Sequence, residues 1–371
     1  MTRKAPFPLA TVYKDGSMRD MKKIVLGSLF SLFASTQVLA LSEIELTGEL
    51  DATASVWNLP TGERGNSAFQ VPSLFLGVHI PLKEDNLLVV TMEGSEQKDI
   101  SPNRFDVGVR EAYLDLVSIF EGMHALRAGL IPQTWQEAQY ENYQYRFLGQ
   151  TAWSMTEKWK YLSYSDLGVS FMSQLPHDYG EWALNLTNGE GAQEKEEGPH
   201  KEATVFVRFF KWSPWSLSLS YVRGSYDLYG ADVGLKERIQ GLLAYEKEDE
   251  WMVALEYLGT KDPADALRDY GMAEGVDVTA LSGQSVRGEG ASLYAVVHTG
   301  PKAEILVRYD YLNPVVGEDG KDLQTAILAL GYQVTDDIKA ALAVDHTKYG
   351  EEFAPGVRER SKLELAAQVL F

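Results

Sequence analysis

Cysteine is absent from the 371 residues, which excludes disulfides, thiolate metal sites and a catalytic thiol. Six histidines are too few for a His-rich metal centre. Basic residues are scarce, 34 against 53 acids, giving a net charge of −19. That balance argues against nucleic acid as a partner, because phosphate contacts need Lys and Arg in surplus. Nothing resembles an ATP-binding or energy-coupling motif, and no cofactor or metal is expected. Long apolar runs are missing as well. Past residue 40 no stretch approaches the ~18 apolar residues that a membrane helix needs.

One short apolar run does occur, at residues 22–40, KKIVLGSLFSLFASTQVLA. Lys22 and Lys23 precede the apolar stretch Ile24 to Phe33, and Val38-Leu39-Ala40 ends it in a small residue. This order reads as a cleaved secretory signal peptide. Met21 directly precedes the lysines, so 21–40 is expected to be the signal and 1–20 an upstream extension. Cleavage after Ala40 removes six of the bases and two of the acids, leaving a mature net charge of −23.

The mature part alternates with period two. In EIELTGELDATASVW (43–57), Ile44, Leu46, Leu50, Ala52, Ala54 and Val56 share one face. Glu45, Thr47, Glu49, Asp51, Thr53 and Ser55 share the other. A strand points those two sets in opposite directions. The same reading predicts strands near 43–56, 69–80, 87–95, 104–118, 123–131, 166–175, 180–187 and 202–211. It continues near 215–225, 237–246, 251–260, 288–299, 302–312, 323–333, 338–347 and 360–371, sixteen in all. Tight turns alternate with long polar loops. That pattern predicts an all-β fold, a sixteen-stranded antiparallel transmembrane β-barrel over 41–371 with short periplasmic turns and long extracellular loops. Its outer face meets lipid, and an even strand count puts both ends on one side. Aromatic residues near strand ends, including Trp57, Phe120, Trp212, Trp215, Tyr245, Trp251, Tyr311 and Tyr332, fit interfacial girdles. The alternative is a soluble secreted sandwich or propeller.

The chain closes with KLELAAQVLF, in which Leu363, Leu365, Ala367, Val369 and Phe371 share a face. This resembles the recognition strand of bacterial outer-membrane proteins, with Phe371 as the signal read by the barrel assembly machinery. Export, the barrel pattern and this strand place the protein in the bacterial outer membrane, in contact with lipid and lipopolysaccharide.

The longest loop follows the fifth strand, about 132–165. By order and length it is similar to the third loop of general porins, which folds into the lumen and narrows it. The stretches REAYLDL (110–116) and LRAGLIPQTW (126–135), with Arg127 and Gly129, and SDLGV (165–169) resemble the phosphate-selective porin O and P family. The resemblance implies a water-filled channel for passive diffusion of small hydrophilic solutes and ions. A homotrimer is expected by the same likeness. Within the loop, aromatics are expected on the inner wall while Glu137, Glu141, Arg146, Glu157, Lys158 and Lys160 face the passage.

Candidate wall charges are the bases Arg104, Arg127, Arg208, Arg238, Arg308, Lys339 and Lys362 against the acids Glu45, Glu49, Asp51, Glu93, Asp106, Glu304, Asp310, Asp345 and Glu364. Acids match or outnumber bases, which predicts a weakly cation-preferring pore. The alternatives are a substrate-specific anion channel of phosphate type and a closed structural or adhesive barrel. No His-Xaa-Ser pair lies on one strand face, so an enzyme is not expected.

Overall fold

The computed structural model describes residues 44–58, 66–96, 105–117, 124–192, 201–226, 234–248, 250–273, 275–353 and 358–371. The segments expected to be an upstream extension and a signal peptide, 1–20 and 21–40, and Arg104 and Phe120 lie outside the described residues. The rest is built of strands β1 (Glu45–Asn58), β2 (Asn66–Pro81), β3 (Leu87–Glu96), β4 (Phe105–Leu116), β5 (His124–Pro132), β6 (Ser165–Gln174), β7 (Gly180–Thr187) and β8 (Glu202–Phe209). Then follow β9 (Trp215–Tyr226), β10 (Gly234–Lys247), β11 (Trp251–Pro263), β12 (Ser285–His298), β13 (Ala303–Asn313), β14 (Leu323–Thr335), β15 (Ile338–Tyr349) and β16 (Glu359–Leu370). Three helices, α1 (Thr134–Asn142), α2 (Met155–Lys158) and α3 (Ala264–Asp269), sit in the loops.

Each strand pairs antiparallel with its sequence neighbours, and β1 pairs with β16, so the sheet is a closed barrel of sixteen strands. Closure leaves no row of unpaired backbone groups. Alternation sets the two faces. Leu363 and Leu365 are exposed on the outside, while Lys362 and Glu364 between them are buried on the inside. Ile239, Leu255, Leu293, Val307 and Leu328 repeat this outward pattern around the ring. Trp215, Tyr245 and Trp251 pack together at the short-turn ends of β9, β10 and β11, Trp215 edge-on to Tyr245 with centroids 4.7 Å apart and Tyr245 stacked on Trp251 at 4.8 Å.

Strands β10–β12 run two or three residues farther toward the long loops than alternation alone indicates. Inward bonds hold these extensions: Lys236 to Glu202 at 2.6 Å and Arg238 to Asp262 at 2.8 Å. Among the described strands the register shifts at three places. One lies opposite Asp51 and Thr53, where Val71 and Pro72 of β2 are skipped by the register. A bulge tolerates a proline that a regular ladder would not. The others shift β4 at Arg110 and β14 at Val334.

The closing seam ends on the last residue. Phe371 exchanges backbone hydrogen bonds with Gly48 at 2.6 and 2.9 Å. A Cβ on Gly48 would run into the Phe371 ring. The lack of a side chain at residue 48 is therefore what lets the terminal ring lie flat on β1. Gly48→Val is expected to displace that ring and cost about 1–3 kcal/mol, as overpacking does. The check is the temperature at which the folded band converts to the unfolded band on a denaturing gel, which should drop relative to wild type.

Candidate functional site

The long segment between β5 and β6 holds α1 and α2 and packs against the inner wall on several sides. Its anchors are side chains of the wall reaching loop carbonyls, and loop side chains reaching the wall. Arg308 on β13 donates to the carbonyls of Ala152 and Trp153 at 2.9 and 3.0 Å. Arg238 on β10 donates to the Tyr161 carbonyl at 3.2 Å. Lys362 on β16 donates to the Thr151 hydroxyl at 2.7 Å. In return, Tyr145 donates to Glu304 on β13 at 2.5 Å, and Gln139 donates to Glu256 on β11 at 2.5 Å. Arg146 reaches Ser73 on β2 at 2.9 Å and Glu93 on β3 at 3.3 Å. Contacts to both halves of the ring mean that the segment crosses the interior.

Wall glycines make room for it. A Cβ on Gly290 would lie 2.6 Å from the Met155 sulfur, and one on Gly331 would run into the Tyr145 hydroxyl. Within the segment Ser154 caps α2, accepting from the Glu157 N–H at 3.2 Å. Gln136 joins the two helices through Thr156 and Ser154 at 3.0 and 3.1 Å.

The packing leaves much of the inner wall dry. Asp51, Ser73, Arg127, Asn185, Gln240, Glu256, Ser292, Arg308 and Thr325 are each at most 2% exposed. Toward the long-loop end, Met155, Trp159 and Tyr161 meet an apolar cluster that includes Leu267, Met272, Val315 and Phe353.

Among the residues singled out from sequence, Arg127 is fully buried and forked between Asp115, at 2.7 and 3.1 Å, and Glu137, at 2.8 Å. Arg308 and Asp310 are both buried and pair at 2.8 Å. Arg208 bonds to Glu141 and lies 3.8 Å from Glu181. Lys339 pairs with Glu304 beneath the Tyr145 ring. Arg146 and Glu93 share a network with two residues not singled out as wall charges, Arg110 and Glu157. Arg238 points inward but is spent on Asp262, Tyr226 and the Tyr161 carbonyl. Asp106 lies in β4, and its side chain is outside the described residues. Phe371 is half exposed on the outer face.

Glu137 and Glu141 keep 30% and 28% side-chain exposure and are the more open members of their pairs. Burial raises both carboxyls above the usual carboxylate range, against the opposing pull of Arg127 and Arg208. Burial also pushes Glu157 upward, but Arg146 and Arg110 outweigh it and hold that carboxyl below its usual value.

Sequence reasoning missed Arg110 because the register slips there. Arg110 falls between the register pairs of Val109 and Glu111, so alternation counted from Asp106 turns it inward while alternation counted back from Asp115 turns it outward; it is buried, and Val109 is exposed. It also missed cross-strand histidine–serine pairs. His346 lies 2.8 Å from Ser361, and His124 lies 2.8 Å from Ser173. Neighbouring-strand register, not spacing within one strand, creates them.

Gly331→Val is expected to evict the Tyr145 hydroxyl, break its bond to Glu304 and loosen the segment near residues 143–153. Limited proteolysis should then cut this segment faster than in wild type, while Gly108→Ala, where a Cβ meets open space, should leave the cleavage rate unchanged.

No family model matches the chain, and no curated protein is similar to it in sequence. Solved structures do share its fold. The anion-selective porin from Comamonas acidovorans superposes with a TM-score of 0.62 at 11% identity, covering 88% of this chain and 99% of that one. The outer-membrane channel DcaP of Acinetobacter baumannii gives 0.60 at 11% identity, covering 88% and 97%. OmpT of Vibrio cholerae, in a trimer form, gives 0.59 at 11% identity, covering 88% and 99%. The chain has the architecture of a porin-like barrel.

Proposed function

We propose that the protein is a bacterial outer-membrane porin. Small hydrophilic solutes and ions diffuse passively through its lumen, with a weak preference for cations. The observation that carries this reading is a closed ring, apolar outside, around a charged interior narrowed by an inward segment. In lipid, only such a closed strand cylinder satisfies its backbone without helices. The outward leucines and valines meet the acyl chains, and the Trp215–Tyr245–Trp251 cluster sits at an interface. Export follows from the signal at 21–40. Phe371 serves the assembly machinery, acidic outer loops meet lipopolysaccharide, and three copies associate.

Cation preference is supported by charge arithmetic along the wall. Arg127 faces Asp115 and Glu137, Arg208 faces Glu141 and Glu181, and Lys362 faces Asp345 and Glu364. Each of these clusters carries one surplus carboxylate. Anion selectivity of the phosphate type would need the opposite surplus. A closed barrel is the second reading, favoured by the dryness of the wall beside the inward segment. An enzyme is not proposed. His346 and Ser361 sit in strands laddered on both sides, so their backbone N–H groups are not free to hold an oxyanion.

Purified protein in planar bilayers is expected to give stepwise currents with potassium favoured over chloride. A silent bilayer would favour the closed barrel. Glu181→Gln should lower the potassium-to-chloride permeability ratio by about twofold, and Arg208→Gln should raise it by a similar factor. The pH dependence has a fixed sign. Burial raises the Glu137 carboxyl to about 7, so it takes up a proton as pH falls below that value and its cluster loses its surplus charge; Glu141 is raised in the same direction and follows the same sign. Reversal potentials should move toward neutrality as pH falls, and Glu137→Gln should flatten the change.

A further inference from the structure

The segment between β5 and β6 is held unevenly. On the side of β13, β16, β2 and β3 it is fixed by Arg308, Lys362 and Arg146. On the side of β8–β12, α1 lies against a row of polar groups that are buried and unpartnered. Thr204 Oγ1, Ser220 Oγ, both amide atoms of Gln240, Glu256 Oε1 and the Tyr294 hydroxyl make no hydrogen bond, and neither does Trp135 Nε1 on α1. All six residues are at most 4% exposed.

The row is continuous. Ser220 faces Gln240 across β9 and β10, and Thr204 is the diagonal neighbour of Ser220 on β8. Glu256 is diagonal to Gln240 on β11, and Tyr294 faces Ala254 on β12, two positions along from Glu256. Trp135 shares a face of α1 with Gln139, one turn on, whose amide reaches Glu256.

Buried donors and acceptors are normally paired. A row of them left open on five adjoining strands marks the place of a ligand whose groups complete the bonds. Its chemistry is specific. Hydroxyl, indole and amide donors stand beside amide and carboxylate acceptors, with the Trp135 and Tyr294 rings among them. The row itself holds one carboxylate and no cationic side chain; the guanidiniums beside it are already committed, Arg308, which faces Tyr294, to Asp310 and the Ala152 and Trp153 carbonyls, and Arg208 on β8 to Glu141, so the row favours an uncharged solute over an anion. Groups that both donate and accept, set beside aromatic faces, match a solute rich in hydroxyls with apolar C–H faces.

We infer that small uncharged polyhydroxy solutes, sugars and polyols, cross the barrel between α1 and the β8–β12 wall. The inference rests on the porin reading and names a solute class within it. In this structure α1 covers the row. Passage requires α1 to lift from this wall while the segment stays anchored on the Arg308, Lys362 and Arg146 side. The polar ties that must yield are Gln139 to Glu256, Asn185 to Thr134, and Arg208 to Glu141.

The test uses the full-length protein in liposomes and in planar bilayers, with glucose and potassium chloride as probes. Wild type is expected to admit glucose in a swelling assay, and added glucose should transiently block the potassium current. Gln240→Leu should lower the ratio of glucose swelling rate to potassium conductance by about threefold or more, because the site loses both a donor and an acceptor. Trp135→Phe, which keeps the ring and removes the N–H, should move the ratio in the same direction and guards against misfolding of the first variant. Wild type that conducts potassium but excludes glucose overturns the inference and leaves the porin reading standing. A ratio unmoved in both variants does the same. Protein that passes neither probe overturns both.

Discussion

The structure depends on one closure, the pairing of the last strand with the first. An open sheet in lipid would expose a row of unsatisfied N–H and C=O groups on each edge. The ten register pairs between β1 and β16 remove both rows. They also fix parity, because a slip of one residue would turn Leu363 and Leu365 inward and Lys362 and Glu364 into the acyl chains. The seam is completed at its end by a large residue on a residue with no side chain, Phe371 on Gly48. Inside and outside are therefore defined by the same contact that closes the ring.

A ring of this size encloses more space than its own inward side chains fill. The segment between β5 and β6 takes up part of that space, and its placement solves a local problem. Its backbone carries carbonyls that regular structure does not pair, and burial without a partner is costly. Arg238 and Arg308 supply the missing donors at Tyr161, Ala152 and Trp153. Each guanidinium also keeps a carboxylate, Asp262 or Asp310, so neither charge is buried alone. Gly290 and Gly331 remove wall side chains where Met155 and Tyr145 must approach.

Most of the ring was legible in the sequence because strand parity needs only neighbouring residues. The alternation in 43–57 and in KLELAAQVLF states which atoms face which way. What parity does not state is what occupies the space a side chain faces. Arg238 and Arg308 lie on the inner face, yet among their partners are loop carbonyls far off in sequence. Arg110 was ambiguous for a different reason, since a register shift makes alternation counted from the two ends of β4 disagree about its face. The pairs His346–Ser361 and His124–Ser173 needed the register between strands, which no single strand carries.

In the proposed porin, the distinction between facing inward and facing water decides which charges would govern a passing ion. A guanidinium such as Arg127, 2% exposed and forked between two carboxylates, is neutralised at close range before its field reaches the water. Glu137 and Glu141 stand in the same clusters but keep 30% and 28% exposure. Their fields reach the aqueous space over distances comparable with the screening length at physiological salt. A count of inward bases and acids treats these groups as equal, and the geometry does not. The cations are withdrawn to hold the segment in place, while the surplus carboxylates are left at the water's edge. Under the proposed porin reading, anchoring and cation preference are two results of one arrangement, with the bases drawn in toward the segment and the acids on its rim.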